Sequence, residues 1–490
     1  SALPPPFNKR AGNDKVLLLS AEGNEHNSTI AGTLGEDIRF DGILPHEEFQ
    51  FSRAHLALGE SEFVGLGVGF SISAALDLVD IGSWYQTIEM LLDGAGEGGT
   101  GLFSVPERIF ANAGTLRFAG QTLNDVAIIA KQVNNNWLLE VNAEEARATV
   151  NLYDQWLTRG IEIEADYLKL AKWEGAETDA ASEWNADTLP PVYFHCQQCT
   201  LLDTELGEVT LDVARADDGM VIRQASAKSR HGTLNASGKW LFNDSDNTTH
   251  LTGTLNSDDV GLMLQQYGVN SGIKDSEARI EFDLNWPESP MDFALATVDG
   301  EINWGLSDGY LTELSDKGSR IFTVFSLNSL VRKLSLDFRD VFAKGFFYDK
   351  MSGSLSVADG KAYTDDTVID GGAGEIEIQG YTDLTARQLN YNVSFTPNVT
   401  GNLPFLVYFL ATPQTALAAL ALDQVLTSAK VISNVNYHVT GTISDPVINE
   451  VGRDSKDIQL PARVTPKDDE EDTPLNEDDL QRLNLEVIDG

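Results

Sequence analysis

Apolar and polar residues alternate one for one along most of this chain. The clearest runs are Ile280-Glu-Phe282-Asp-Leu284, Gly300-Glu-Ile302-Asn-Trp304-Gly-Leu306 and Glu375-Ile376-Glu-Ile378-Gln. Two more are Leu389-Asn-Tyr391-Asn-Val393-Ser-Phe395 and Val435-Asn-Tyr437-His-Val439-Thr-Gly-Thr-Ile443. Successive side chains of a strand point to opposite faces, so each run has one apolar and one polar face. Few helical stretches separate the runs, which excludes a βαβ protein. Asp-Gly pairs suit the positive φ angles of tight hairpins and recur at Asp41-Gly42, Asp218-Gly219, Asp299-Gly300, Asp308-Gly309 and Asp359-Gly360. The pattern predicts a long antiparallel meander with one apolar face.

The chain also repeats itself. Gly-Thr/Ser-Leu/Ile occurs at Gly32, Gly114, Gly232, Gly253, Gly353 and Gly441. Leu123-Asn-Asp-Val126 and the strand after it match Leu206-Gly-Glu-Val209 and its strand, with Trp84 and Trp173 upstream of each. The two units lie roughly 85 residues apart, a spacing typical of stacked β units. Helical spacing is confined to Ile81–Leu92, Asp258–Tyr267 with its capping Asp, and Ser326–Leu336. One stretch, 401–422, carries no charge at all. It meets the ~20 residues of a membrane span. Pro404, Pro413 and Gln414 interrupt it, however, so two short helices forming a hairpin are expected, as a packed lid or as a surface entering one leaflet.

Charge narrows the partners. The 490 residues include 75 acidic and 34 basic ones, a net charge of −41. A phosphate backbone needs Lys and Arg, so nucleic acid is excluded. Electrostatic docking on anionic headgroups is disfavoured for the same reason. Hydrophobic residues make up 42% of the chain, enough for a large core. Residues 467–490 hold ten acidic and two basic side chains, and 451–490 is expected to be a disordered tail. The first 15 residues, without Met or an apolar leader, read as a loose start of a processed or partial chain.

Cys196 and Cys199 are the two cysteines. Their strand-like flanks do not match a thioredoxin-type redox pair, and a zinc site lacks further ligands beyond the adjacent His195. A local disulfide is the favoured reading, provided the compartment is oxidising. No Walker A, G-x-S-x-G, H-E-x-x-H or EF-hand motif occurs, and the seven His are scattered. We therefore expect no enzyme, no catalytic residues, no metal and no cofactor.

Residues 286–350 carry a more specific signature. Trp286-Pro287, Met291-Asp-Phe293 and Val298-Asp-Gly300-Glu-Ile302 precede Leu336-Asp337-Phe338-Arg-Asp340-Val341-Phe342-Ala-Lys344-Gly345-Phe346. Gly380-Tyr-Thr-Asp-Leu384, Pro397 and Thr440-Gly441-Thr-Ile-Ser-Asp-Pro446 follow. This order resembles the C-terminal half of the YhdP branch of the AsmA-like proteins, over most of residues 80–450. The resemblance implies a twisted, curved antiparallel β sheet with an open apolar groove, built from repeated β units. It implies a phospholipid-transfer bridge in the periplasm of a Gram-negative bacterium, anchored in the inner membrane by a segment absent here. Envelope partner proteins at either end are unidentified, and a monomer is expected. The alternative from another class is a β-rich scaffold or adhesin-like protein whose face is filled by its own side chains.

On that reading the body spans 16–450, in weak units of about 16–160, 161–285 and 286–450, with an apolar helical segment at 401–428. Alternation assigns the groove to Leu116, Phe118, Val126, Ile128, Val209, Leu211, Val213, Leu234, Trp240, Phe242, Leu251, Leu255, Ile280, Phe282 and Leu284. It continues through Ile302, Trp304, Leu306, Leu355, Val357, Ile376, Ile378, Tyr391, Val393 and Phe395. Contact with the inner leaflet of the outer membrane falls to Phe405, Leu406, Val407, Tyr408, Phe409, Leu410, Leu417, Leu420 and Leu422. Asp337, Asp340 and Lys344 read as a structural turn.

Overall fold

The alternating runs become strands, and the strands join into one sheet. The computed structural model describes residues 16–61, 66–82, 84, 102–118, 120–171, 189–202, 204–243, 246–269, 271–311, 346–398 and 428–459. They form a single sheet of 24 strands. The first nine are β1 (Leu17–Gly23), β2 (Asn27–Leu34), β3 (Ile38–Pro45), β4 (Arg53–Gly59), β5 (Gly69–Asp80), β6 (Arg108–Phe118), β7 (Gln121–Val133), β8 (Asn136–Asn142) and β9 (Ala146–Leu152). The middle holds β10 (Ile161–Leu170), β11 (Val192–Leu201), β12 (Thr204–Ala216), β13 (Gly219–Lys228), β14 (Gly232–Asn243), β15 (Asp246–Ser257), β16 (Ile273–Lys274), β17 (Glu277–Pro287) and β18 (Asp299–Leu311). The last six are β19 (Phe346–Ala358), β20 (Lys361–Gly371), β21 (Gly374–Asp383), β22 (Gln388–Pro397), β23 (Ser428–Thr442) and β24 (Asp445–Gln459). Among the described residues the helices that lie wholly within them are short: α1 (Trp156–Arg159), α2 (Val260–Gln266) and a 3-10 turn at Pro290–Asp292.

Each strand pairs with its predecessor in the chain, so the order in space follows the order in sequence. The two-residue β16 stands aside, leaving β15 to pair with β17. The end strands do not pair with each other, so the sheet is open rather than closed into a barrel. The residues fall into two units: 1–398 with 435–452, and 399–434 with 453–490. The strip described below belongs to the first; the described parts of the second are the strand residues 428–434 and 453–459.

Three details correct the sequence reading. The sheet is mixed, because β4–β5, β5–β6 and β10–β11 run parallel. A parallel neighbour needs a long return connection, and residues 81–107 and 171–191 supply two of them. The parallel step recurs in the same place in both repeated segments: β5 beside β6 then β7, and β10 beside β11 then β12. Second, of the five Asp-Gly pairs named above only Asp218-Gly219 and Asp359-Gly360 sit at hairpins; the other three lie inside β3 or β18. At Asp359-Gly360 both φ angles are positive, 52° and 69°. Asn134-Asn135 does the same work between β7 and β8, at 52° and 66°, because Asn tolerates the left-handed region. Third, β24 runs to Gln459, into the stretch assigned to the tail. Charged side chains that point to water are compatible with an outer strand.

Of the helical expectations, α2 forms within Asp258–Tyr267, capped by Asp259, whose carboxylate accepts from Leu262 N–H at 2.9 Å. Most of Ile81–Leu92, and all of Ser326–Leu336, 401–422, Asp337, Asp340 and Lys344, lie outside the described residues.

Candidate functional site: an apolar strip along one face

In-register partners on neighbouring strands share a face, so the pairing registers define rows across the sheet. One row runs Leu17, Leu34, Ile38, Leu58, Ala74, Ala111, Ile128, Val141, Ala148, Ala165, Cys196, Val209, Ala227, Leu234, Leu255, Ile280, Trp304 and Gly353. No polar side chain interrupts it from β1 to β19. Two residues along the strands lies a second such row. Its members include Phe40, Leu56, Ile72, Ile109, Phe194, Leu211, Ala225, Ala236, Gly253, Phe282, Ile302 and Leu355. A third contains Val213, Ile222, Gly238, Leu251, Leu284, Gly300 and Val357. The opposite face reads Glu164, His195, Thr210, Ser226, Asn235, Thr254, Glu281, Asn303 and Ser354 along one row.

Burial divides the apolar face in two. From β12 to β19 the large side chains Leu211, Leu234, Leu251, Leu255, Ile280, Phe282, Leu284, Ile302, Trp304 and Leu355 are all half-buried, each flanked by its row neighbours. Farther on, the same face is sealed: Ile376 and Tyr437 are 0% exposed, Ile378, Tyr391 and Phe395 1%, and Val393 3%. Buried hydroxyls there pair with each other, Thr364 with Thr367 and Thr382 with Tyr391, at 2.7 Å each. Burial also pushes the Tyr391 hydroxyl pKa upward. Five proposed groove residues of β21 and β22 therefore lie in an interior rather than on a surface, and Trp240, Leu306 and Val357, at the margins of the half-buried segment, are buried as well. Leu116 and Val126 are also buried, in a cluster with Ala113, whereas Phe118 is exposed at the end of β6.

Two rims border the half-buried segment. On one side α2 lies over the strand ends. Met263 packs where Gly232 has no side chain, since a Cβ on Gly232 would come within 2.5 Å of its sulfur. Gln266 donates to the Glu205 carbonyl at 2.6 Å. The opposite rim is aromatic: the Trp240 and Phe242 rings lie 4.3 Å apart, tilted at 41°, and Trp286 meets Phe293 edge-on at 5.2 Å. From Gly232 to Trp240 the floor is about 27 Å wide, and six strand steps make it about 29 Å long.

The sulfurs of Cys196 and Cys199 are bonded. They are buried on the apolar side with Ala165, Phe194 and Val209, at a bulge where Cys196 faces Val209 and Cys199 faces Gly207. On the polar face beside them, Glu164 (2.8 Å) and Glu208 (3.2 Å) hydrogen-bond His195 and raise its pKa above the usual value. A depression of about 710 Å³ also opens on the polar face, lined by Arg223, Asn235, Thr252, Glu281, Asp283 and others. Among the described residues no cluster of His, Cys, Asp or Glu could hold a metal ion, and no helix is long and apolar enough to cross a membrane.

Sequence reasoning missed the small members of the floor, Ala225, Ala236 and Gly253. It missed the Phe40-to-Phe194 side as well, although Ile161-Glu-Ile163-Glu-Ala165 alternates visibly.

The described strands thus define a class by architecture: mostly β proteins with one large open sheet, apolar rows on one face and hydroxyls and carboxylates on the other. The chain belongs to the YhdP protein family, whose model matches residues 1–448. It is 26% identical over 465 residues to the intermembrane phospholipid transporter YhdP of Escherichia coli (strain K12). That alignment covers 92% of this chain and 36% of the relative, so the chain spans about a third of that protein's length. No solved structure matches.

Proposed function

We propose that this chain is a section of a phospholipid carrier that shields acyl chains on its apolar face between the two membranes of a Gram-negative envelope. The observation that carries the reading is the uninterrupted apolar row from Leu17 to Gly353, half-buried over β12–β19, together with the relative's transport of phospholipid. Moving a phospholipid through water exposes about 30 methylenes at ~0.8 kcal/mol each, on the order of 20 kcal/mol. A strip of Leu, Ile, Phe and Trp removes most of that barrier without bond chemistry, so no catalytic group is needed. The carboxylates and hydroxyls of the other face keep such a sheet in water. In this reading the chain works in the periplasm, lipid travels toward the outer membrane, and the uncharged 401–422 segment touches its inner leaflet.

The test is direct. Purified protein is examined by native mass spectrometry, with photo-crosslinkers at Leu234, Ile280 and Trp304 and, as controls, at Asn235 and Glu281. Co-purified phospholipid crosslinking to the first set alone supports the proposal. A lipid-free protein, or adducts equal on both faces, refutes it and leaves the scaffold reading, which the sealed interior of β20–β23 favours locally.

A further inference from the structure

The connection between β17 and β18 displays exposed apolar side chains. Met291 is 78% exposed, Phe293 48% and Leu295 49%. The loop does not display them through slackness. Ser289 and Asp292 form a capping box. Trp286 Nε1 donates to the Ser289 carbonyl at 3.0 Å, and Thr249 Oγ1 to that of Glu288 at 2.8 Å. Val298 N–H closes back on the Ala294 carbonyl at 3.1 Å. Phe293 stands on Trp286, and Trp286 packs with Val298 against Leu251, Leu284, Ile302 and Leu355 of the strip. The apolar floor thus continues over its rim to the tip of a fixed loop. From Pro287 to Gly300 there is no Lys or Arg, while Glu288, Asp292 and Asp299 are acidic.

We infer that Met291, Phe293 and Leu295 form a lateral portal, through which acyl chains pass between the strip and a bilayer surface of net-neutral headgroups. This rests on the groove reading and adds where lipid crosses the rim and from which kind of surface. Rim continuity supplies an apolar path for the chains. The acidic flanks select the surface, because an anionic leaflet repels them.

The experiment measures how fast the full chain extracts a fluorescent phospholipid from phosphatidylcholine vesicles, and how much it holds at equilibrium. The double variant Met291→Ser, Phe293→Ser keeps the capping box but loses the edge contact of Phe293 with Trp286, so a slightly lower unfolding temperature with a single cooperative transition verifies its fold. Extraction should slow about tenfold with the equilibrium amount unchanged. The matched variant Val447→Ser, Val451→Ser, at exposed positions of β24, should match the wild type. Adding phosphatidylglycerol should slow the wild type, and Glu288→Gln with Asp299→Asn should recover part of that loss. Wild-type rates in the portal variant, with lipid still bound at equilibrium, overturn the portal and leave the groove standing. A wild-type chain that takes up no lipid overturns the groove, and the portal with it.

Discussion

Ile280 and Ile376 occupy equivalent places in alternating runs, yet truncating them should have different consequences. Ile376 is fully buried between Ile369 and Phe395. Ile376→Ala removes buried carbons and leaves a cavity, which costs about 3 kcal/mol or more. Ile280 is half-buried between Leu255 and Trp304, with water over the rest. Ile280→Ala loses about three methylene equivalents, roughly half of them already wet, hence about 1 kcal/mol and no sealed cavity. In a sheet where each strand pairs mainly with its neighbours, the losses stay largely local. Hydrogen exchange of peptides covering β15–β18 and β20–β22 reads them separately. Loading the protein with phospholipid should enlarge the Ile280 loss toward that of Ile376, because an acyl chain then buries the side chain. Equal losses in lipid-free protein would refute the reasoning, since they would mean that protein covers the strip at β17.

Cys199→Ser should lower stability by about 2 kcal/mol and speed exchange in β10–β12, with peptides beyond β13 unchanged; uniform loosening would contradict a local role. Gly253→Ala should cost about 1–3 kcal/mol by urea unfolding, because its Cβ would lie 2.5 Å from both the Asn235 carbonyl oxygen and the Phe282 ring. His195 gains from its bonds to Glu164 and Glu208 and titrates above 6.5 in the folded chain. Its contribution is therefore complete below pH 6.5 and fades as pH rises through the folded value. His195→Gln should flatten that dependence, and an unchanged slope would exclude the pairing.

Much of the site was legible because alternation is written residue by residue. Leu255, Ile280 and Trp304 could be placed on one face from their own strands alone, and register merely lined them up. Gly253 was not legible as floor: its role comes from Phe282 lying across it on the next strand. Hairpin chemistry was read too narrowly, since Asn134-Asn135 turns the chain as well as Asp359-Gly360 does. The exposed loop at Met291 and Phe293 could be seen only as a motif, because exposure depends on what fails to pack there.

The sequence by itself determined that this chain is mostly β, that each strand has an apolar and a polar side, and that no recognisable catalytic motif is present. Those properties are local, set by a two-residue period and by residue types. Only the tertiary structure decided that three strand pairs are parallel, that the apolar sides align into unbroken rows, and that the face is half-open at β12–β19 and sealed at β20–β23. Identical alternation precedes both outcomes. Burial is a property of whatever lies above a face, and that is fixed by contacts far away in the chain.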